Sequence, residues 1–169
     1  MCVLRVREMS NCAIEKAREV YQKYPQMKFP LDIEKITAEE GCEIITWPFV
    51  EPVREVKRGR YIGIAAGLSP KERRYLVAHA LAHHLLHCGN QLAFHDIQKV
   101  ILHKQEREAD ECAAHILMPE VELAKVRDLP LWDLADYFHV PEYLVQLRLT
   151  EFATAEELAG WQSAENYNS

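Results

Sequence analysis

The sequence predicts an α+β fold: a short sheet with long helices in the N-terminal part, then an all-helical C-terminal part. Three observations predict it. Two β-branched and aromatic runs, "CEIITWPF" and "RYIGIAAGL", lie close together and read as strands. Two long helical stretches follow them directly. From position 119 onward only short helical segments remain, with no further strand signal. The 169 residues suffice for one well-filled domain, which we divide into residues 1–118 and a helical subdomain, 119–169.

The elements follow in chain order. Ser10 can cap a helix over about 11–23, with the apolar stripe Ile14, Ala17, Val20 and Tyr21. Pro25 and Pro30 then break the chain. "LDIEKITAEEG" predicts a short helix with Ile33 and Ile36 inward and Gly41 as its stop. The first strand follows, and "EPVREVKRG" reads as a charged turn region. In the second strand Gly63 marks a bulge or close approach by another backbone. Ser69, Pro70 and Glu72 form a cap, a first-turn proline and a capping-box glutamate. That helix is expected to run to Cys88 and stop at Gly89. Asp96 can cap the next, which ends at Pro119. Short helices are expected over about 120–127, 130–138, 141–152 and 155–162.

Composition narrows the function classes. Hydrophobic residues make up 49% and charged residues 27%, ordinary for a globular protein. A net charge of −6 gives no bulk attraction to nucleic acid or anionic membranes. The 5 cysteines form no CxxC pair, no signal peptide opens the chain, and no apolar run reaches membrane-spanning length. The expectation is a cytoplasmic protein with reduced thiols, monomeric and not membrane-bound.

"AHALAHHLLH", residues 78–87, carries the chemistry. His79 and His83 stand four apart, so both imidazoles fall on one helical face. A catalytic zinc takes about three protein ligands and leaves one position for water. The third ligand should come from a neighbouring helix. "EREAD", residues 106–110, is the candidate: Glu106 shares a face with Ala109, Asp110 and Ala113, whose small side chains allow close approach. Glu106 then completes a two-His, one-Glu site, and Asp110 can accept the N–H of a ligating histidine. Glu108, about 160° away on the helix, is the alternative. His83 and His87 are also four apart. A histidine pair alone is weak evidence; the capping box, the pair and the acidic motif over small residues carry the reading together. Zinc suits these donors, and Mn²⁺ or Fe²⁺ also fit the ligand types.

A zinc peptidase carries a glutamate directly after the first histidine, where it takes a proton from the attacking water. Here that position is Ala80, which has no proton acceptor. Losing a positioned base typically costs about 10²–10⁴ in rate. The expected state binds metal and turns over slowly or not at all.

"RRYLVAHALAHHLLH" followed by "EREADECAAHILMP" closely resembles the paired motifs of the ImmA/IrrE-type metallopeptidases. "FPLDIEKITAEEGCEI" and "LPLWDLADYFHVPEYLVQLRL" resemble that family's segments on either side. The resemblance implies a minimal zincin-like domain over 1–118, with metal ligands His79, His83 and Glu106 and Ala80 in the place of the catalytic glutamate. It implies cleavage of a Cro/C1-like helix-turn-helix repressor, releasing a mobile-element, phage or stress regulon. A departure confined to Ala80 reads as an engineered inactivating substitution. The alternative is a natural pseudoprotease, an anti-repressor that binds its regulator without cutting it. An exposed edge near Tyr61–Ala65 could hold an extended peptide, and an acidic chain suits a basic repressor.

The rival is a DNA-binding module, since residues 131–149 have a helix-turn-helix cadence. The second helix offers only Arg148 as a base contact, whereas phosphate binding needs several cations. Direct nucleic-acid binding is therefore not expected, and Leu134, Phe138, Val140, Leu144, Leu147 and Leu149 read as core. Tyr137, His139 and Tyr143 are candidates for oxyanion stabilisation.

Overall fold

A computed structural model describes residues 2–86 and 98–160, with side chains over 12–86 and 102–160. Among these residues α1 spans Cys2–Lys23, α2 Ile33–Glu39, β1 Glu43–Trp47, β2 Glu55–Arg58 and β3 Tyr61–Ala65. They are followed by α3 (Pro70–Leu86), α4 (Gln98–Leu117), α5 (Glu120–Val126), α6 (Leu131–Tyr137) and α7 (Glu142–Thr150). The chain is helical again over 155–160. The α+β class holds.

The helix ends follow local chemistry. Asp32 caps α2 by accepting from the Lys35 N–H at 3.0 Å. Gly41 ends it at φ +82, in the left-handed region. The Gly41 and Cys42 amides return to the Ala38 and Thr37 carbonyls, which satisfies the last carbonyls of the turn. At α3 the box forms in both directions: the Glu72 amide donates to Ser69 Oγ at 3.3 Å, and the Ser69 amide to Glu72 Oε2 at 3.2 Å.

Three expectations are corrected. The first helix begins at Cys2, so Ser10 lies inside it and not at its N-terminus. Residues 2–9 contain no Pro or Gly to stop the helix, and its propagation overrides the serine's preference for a terminus. The charged region at 51–59 contains a strand, β2. Gly59, at φ +57, begins a two-residue hairpin loop with Arg60 and pairs Arg58 with Tyr61. Gly63 sits in unbroken register on both sides. What approaches it is the Phe49 ring, which would lie 2.8 Å from an added Cβ. The expected ends at Asp96, Cys88 and Gly89 lie outside the described residues.

The sheet order is β1-β3-β2, with β1 parallel and β2 antiparallel to β3. This overturns the expected open edge at Tyr61–Ala65: β3 is the central strand, and the outer edges belong to β1 and β2. Ile62 and Ile64 of β3 are buried. Their partners on β2 are Lys57 and Glu55. Directly opposed residues share a face of a sheet, so Lys57 and Glu55 project on the inner, helix-facing side.

α3 forms the centre of the core, with Val77 through His83 all buried. α4 packs along it through fully buried Ala109, Cys112, Ala113 and Ala114. The Tyr21 hydroxyl ties α1 to α4 by donating to the Ile116 carbonyl at 2.7 Å. Leu134, Phe138, Val140 and Leu144 close the C-terminal side of the core, with Leu147 and Leu149 half-buried. Arg148 is fully buried and pairs with Glu157. It also donates to the Met118 and Phe152 carbonyls. The one basic side chain that favoured a DNA-reading α7 is therefore an internal clamp. No helix among the described residues is long and apolar enough to cross a membrane.

Candidate metal centre

His79 and His83 sit one turn apart on α3, and both are buried. Their Nε2 atoms lie 3.0 Å apart. α4 brings Glu106 across to them: Oε2 is 3.2 Å from His79 Nε2 and Oε1 is 3.4 Å from His83 Nε2. The donor atoms of these three residues lie within 4.8 Å of one another. Two imidazoles and a carboxylate converging in this way could hold a metal ion. Of the two glutamates the sequence left open, Glu106 faces the histidines. Glu108 lies 3.9 Å from Lys104, on its own helix.

A second layer stands behind His79. Its Nδ1 lies 2.8 Å from Asp110 Oδ1, the position expected of a carboxylate that orients a ligand. The Tyr75 hydroxyl donates to the same oxygen at 2.6 Å. Burial opposes charge on His79, but hydrogen bonds to Asp110 and Glu106 outweigh it and push the imidazole up to about 10. Hydrogen bonds to His79 and His83 hold Glu106 well below the usual carboxylate range. Positive charge at the convergence point is thus favoured before any ion is considered.

Ala80 is fully buried beside His79 and brings no polar atom. Among the oxyanion candidates, Tyr143 stacks edge-to-face on Tyr75 at 5.7 Å and so stands at the margin of the site. Tyr137 instead donates to Glu122 at 3.2 Å. His139 occupies the turn between α6 and α7 with φ 53.

The centre opens into a cleft of about 410 Å³ lined by Glu55, Val56, Lys57, Tyr75, Leu76, His79, His83, Glu106 and Asp110. β2 is therefore a wall of the cleft. Sequence reading missed Glu55, because its segment was taken for a turn. The alternation E-V-K before a Gly hairpin was the available signal. Glu55 Oε2 is buried and has no hydrogen-bond partner. Burial pushes the carboxyl up to about 7; His79 and Lys57 pull it down, and Glu106 and Asp110 push it up.

A family model described as the IrrE N-terminal-like domain, of the M78 peptidases, matches residues 39–150, well over half of the sequence. The chain belongs to the M78 peptidase family. The matched span includes all three strands and both helices that carry the candidate centre. A search among curated proteins gives no match. Among solved structures, a Mycobacterium tuberculosis transcriptional regulator superposes with a TM-score of 0.63 at 16% identity. That likeness covers 89% of this chain and 48% of the regulator, so the chain spans about half the length of that protein. At this identity the likeness shows the fold. The M78 model shows a peptidase-type protein, and the His79–His83–Glu106 cluster is its possible metal site.

Proposed function

We propose that this chain is a zinc metallopeptidase whose substrate is a Cro/C1-like helix-turn-helix repressor, cut to release a mobile-element, phage or stress regulon. The observation that carries the reading is the convergence of His79, His83 and Glu106 in a cleft walled by an edge strand. These three side chains would hold the ion, and Asp110 would orient His79. A zinc ion held there would polarise a peptide carbonyl and acidify water. Mn²⁺ and Fe²⁺ suit the same donors.

β2 pairs only with β3 among the described residues, so its outer edge is open. An extended segment of the repressor can add along that edge and present its main chain to the cleft. The net charge of −6 favours encounter with a basic DNA-binding partner. The transcriptional regulator found by structural likeness is compatible with a role in gene control. We place the chain in the cytoplasm, where such repressors act.

Ala80 withholds the usual proton acceptor, and on that ground alone turnover is low or absent, as an inactivating substitution would leave it. The test is to co-express the chain, as given and as Ala80→Glu, with the helix-turn-helix regulator encoded beside it. The expected result is cleavage at one site by Ala80→Glu, stopped by a chelator. A zinc-loaded Ala80→Glu protein that binds the regulator and leaves it whole would replace this reading with that of a pseudoprotease anti-repressor.

A further inference from the structure

We propose that Glu55 is a catalytic residue of this centre, supplying from β2 the proton-accepting carboxylate that Ala80 on α3 lacks. The inference rests on the peptidase reading above, but it reverses the corollary drawn from Ala80, because the chain then keeps a base and is slow rather than silent.

Three observations carry it. Glu55 projects on the inner face of the sheet, opposite Ile64, and lines the same cleft as His79, His83 and Glu106. Its Oε2 is buried without a hydrogen-bond partner. A buried carboxylate oxygen with no partner costs stability and builds nothing, so its retention points to a use. Finally, Glu55 lies outside the set of donor atoms within 4.8 Å of one another. A carboxylate inside that set would become a further ligand and close the centre. Lining the same cleft but outside that set, Glu55 is placed to act on a water and not as a further ligand.

The step balances without redox change. The attacking water gives one proton to Glu55 Oε2 as its oxygen bonds to the carbonyl carbon of the substrate. Glu55 then passes that proton to the amide nitrogen as the C–N bond breaks. One water is consumed, and the carboxylate is regenerated. The charged groups around it are His79, Lys57, Glu106 and Asp110. Lys57, two residues along β2, lines the cleft on the same face.

The experiment uses four zinc-loaded proteins: the chain as given, Glu55→Gln, Ala80→Glu, and Ala80→Glu/Glu55→Gln. The probes are fluorescein-labelled casein and the regulator encoded beside the chain. The chain as given is expected to cut slowly, and Glu55→Gln to lower that rate about 10²-fold or more. The double variant is expected to return to within a few-fold of Ala80→Glu. Two further readouts separate catalysis from structure. Glu55→Gln should keep its zinc stoichiometry, and its metal-free form should melt no lower than the parent. The proposal is overturned if the chain as given is inert while Ala80→Glu cuts, if Glu55→Gln cuts like the parent, or if Glu55→Gln loses zinc or melting temperature. Inertness of all four proteins would instead remove the peptidase reading itself.

Discussion

His79 and His83 were legible in the sequence because a spacing of four dictates a shared helical face whatever the tertiary context. Glu106 was legible up to the phase of its helix, and packing resolved that phase through Ala109 and Ala113. Glu55 was not legible, because its significance depends on pairing with Ile64 and on a cleft that only the fold assembles. At this scale the centre makes a graded prediction. His83→Ala should abolish stoichiometric zinc in protein purified without chelator, as read by metal analysis. Asp110→Asn should retain zinc but weaken it by about 10–100-fold in a chelator competition, because it disturbs orientation and removes no donor.

Among the elements, α7 and the turn after it show how polar burial is handled. The Thr154 and Glu157 pair caps the helical turn at 155–160: the Thr154 amide donates to Glu157 Oε2 at 2.7 Å and the Glu157 amide to Thr154 Oγ1 at 3.1 Å. The same carboxylate meets Arg148, which is fully buried. Arg148→Met should cost about 3–5 kcal/mol in urea unfolding, since it strands a buried carboxylate. Replacing both partners with apolar residues should recover much of that loss. His115 of α4 lies 2.9 Å from the Phe152 carbonyl and is buried beside this clamp. Burial, then Arg148, push it down to about 3. A folded-state value below the unfolded one, about 6.5, means the unfolded chain takes up a proton that the folded chain refuses. Stability should therefore fall as pH drops from about 6.5 towards 3, with a contribution approaching 1.4 kcal/mol per pH unit. His115→Gln should flatten that slope in denaturation series across this range. β1 and β3 were legible from β-branched composition, whereas β2 was not: its charges disguise a strand held in place by β3 and by the Gly59 hairpin.

For the whole molecule, the α+β class and the order of its parts could be read from the sequence because strand and helix periodicities segregate along the chain. The sheet order could not, since nothing local states which strand lies between the other two. We propose the division at 118/119 as an architectural one, with neither part folding alone. Phe138, Val140 and Leu144 belong to the same buried cluster as α3 and α4, and Arg148 satisfies the Met118 carbonyl. Residues 1–118 alone should accordingly lack a cooperative thermal transition by circular dichroism. Zinc should not rescue it, since the ligands alone do not replace the lost apolar cover.

The two contacts on Asp110 Oδ1 reach further than their lengths suggest. An oxygen that already accepts the Tyr75 hydroxyl hydrogen bond also accepts from His79, so the Nδ1 hydrogen of that ring is held in place. The nitrogen left to coordinate is then Nε2, once an ion displaces the proton it shares with Glu106, and the imidazole cannot turn over without breaking the contact at its back. An arriving cation meets a donor already aimed, and the helix bearing it need not rearrange to be loaded.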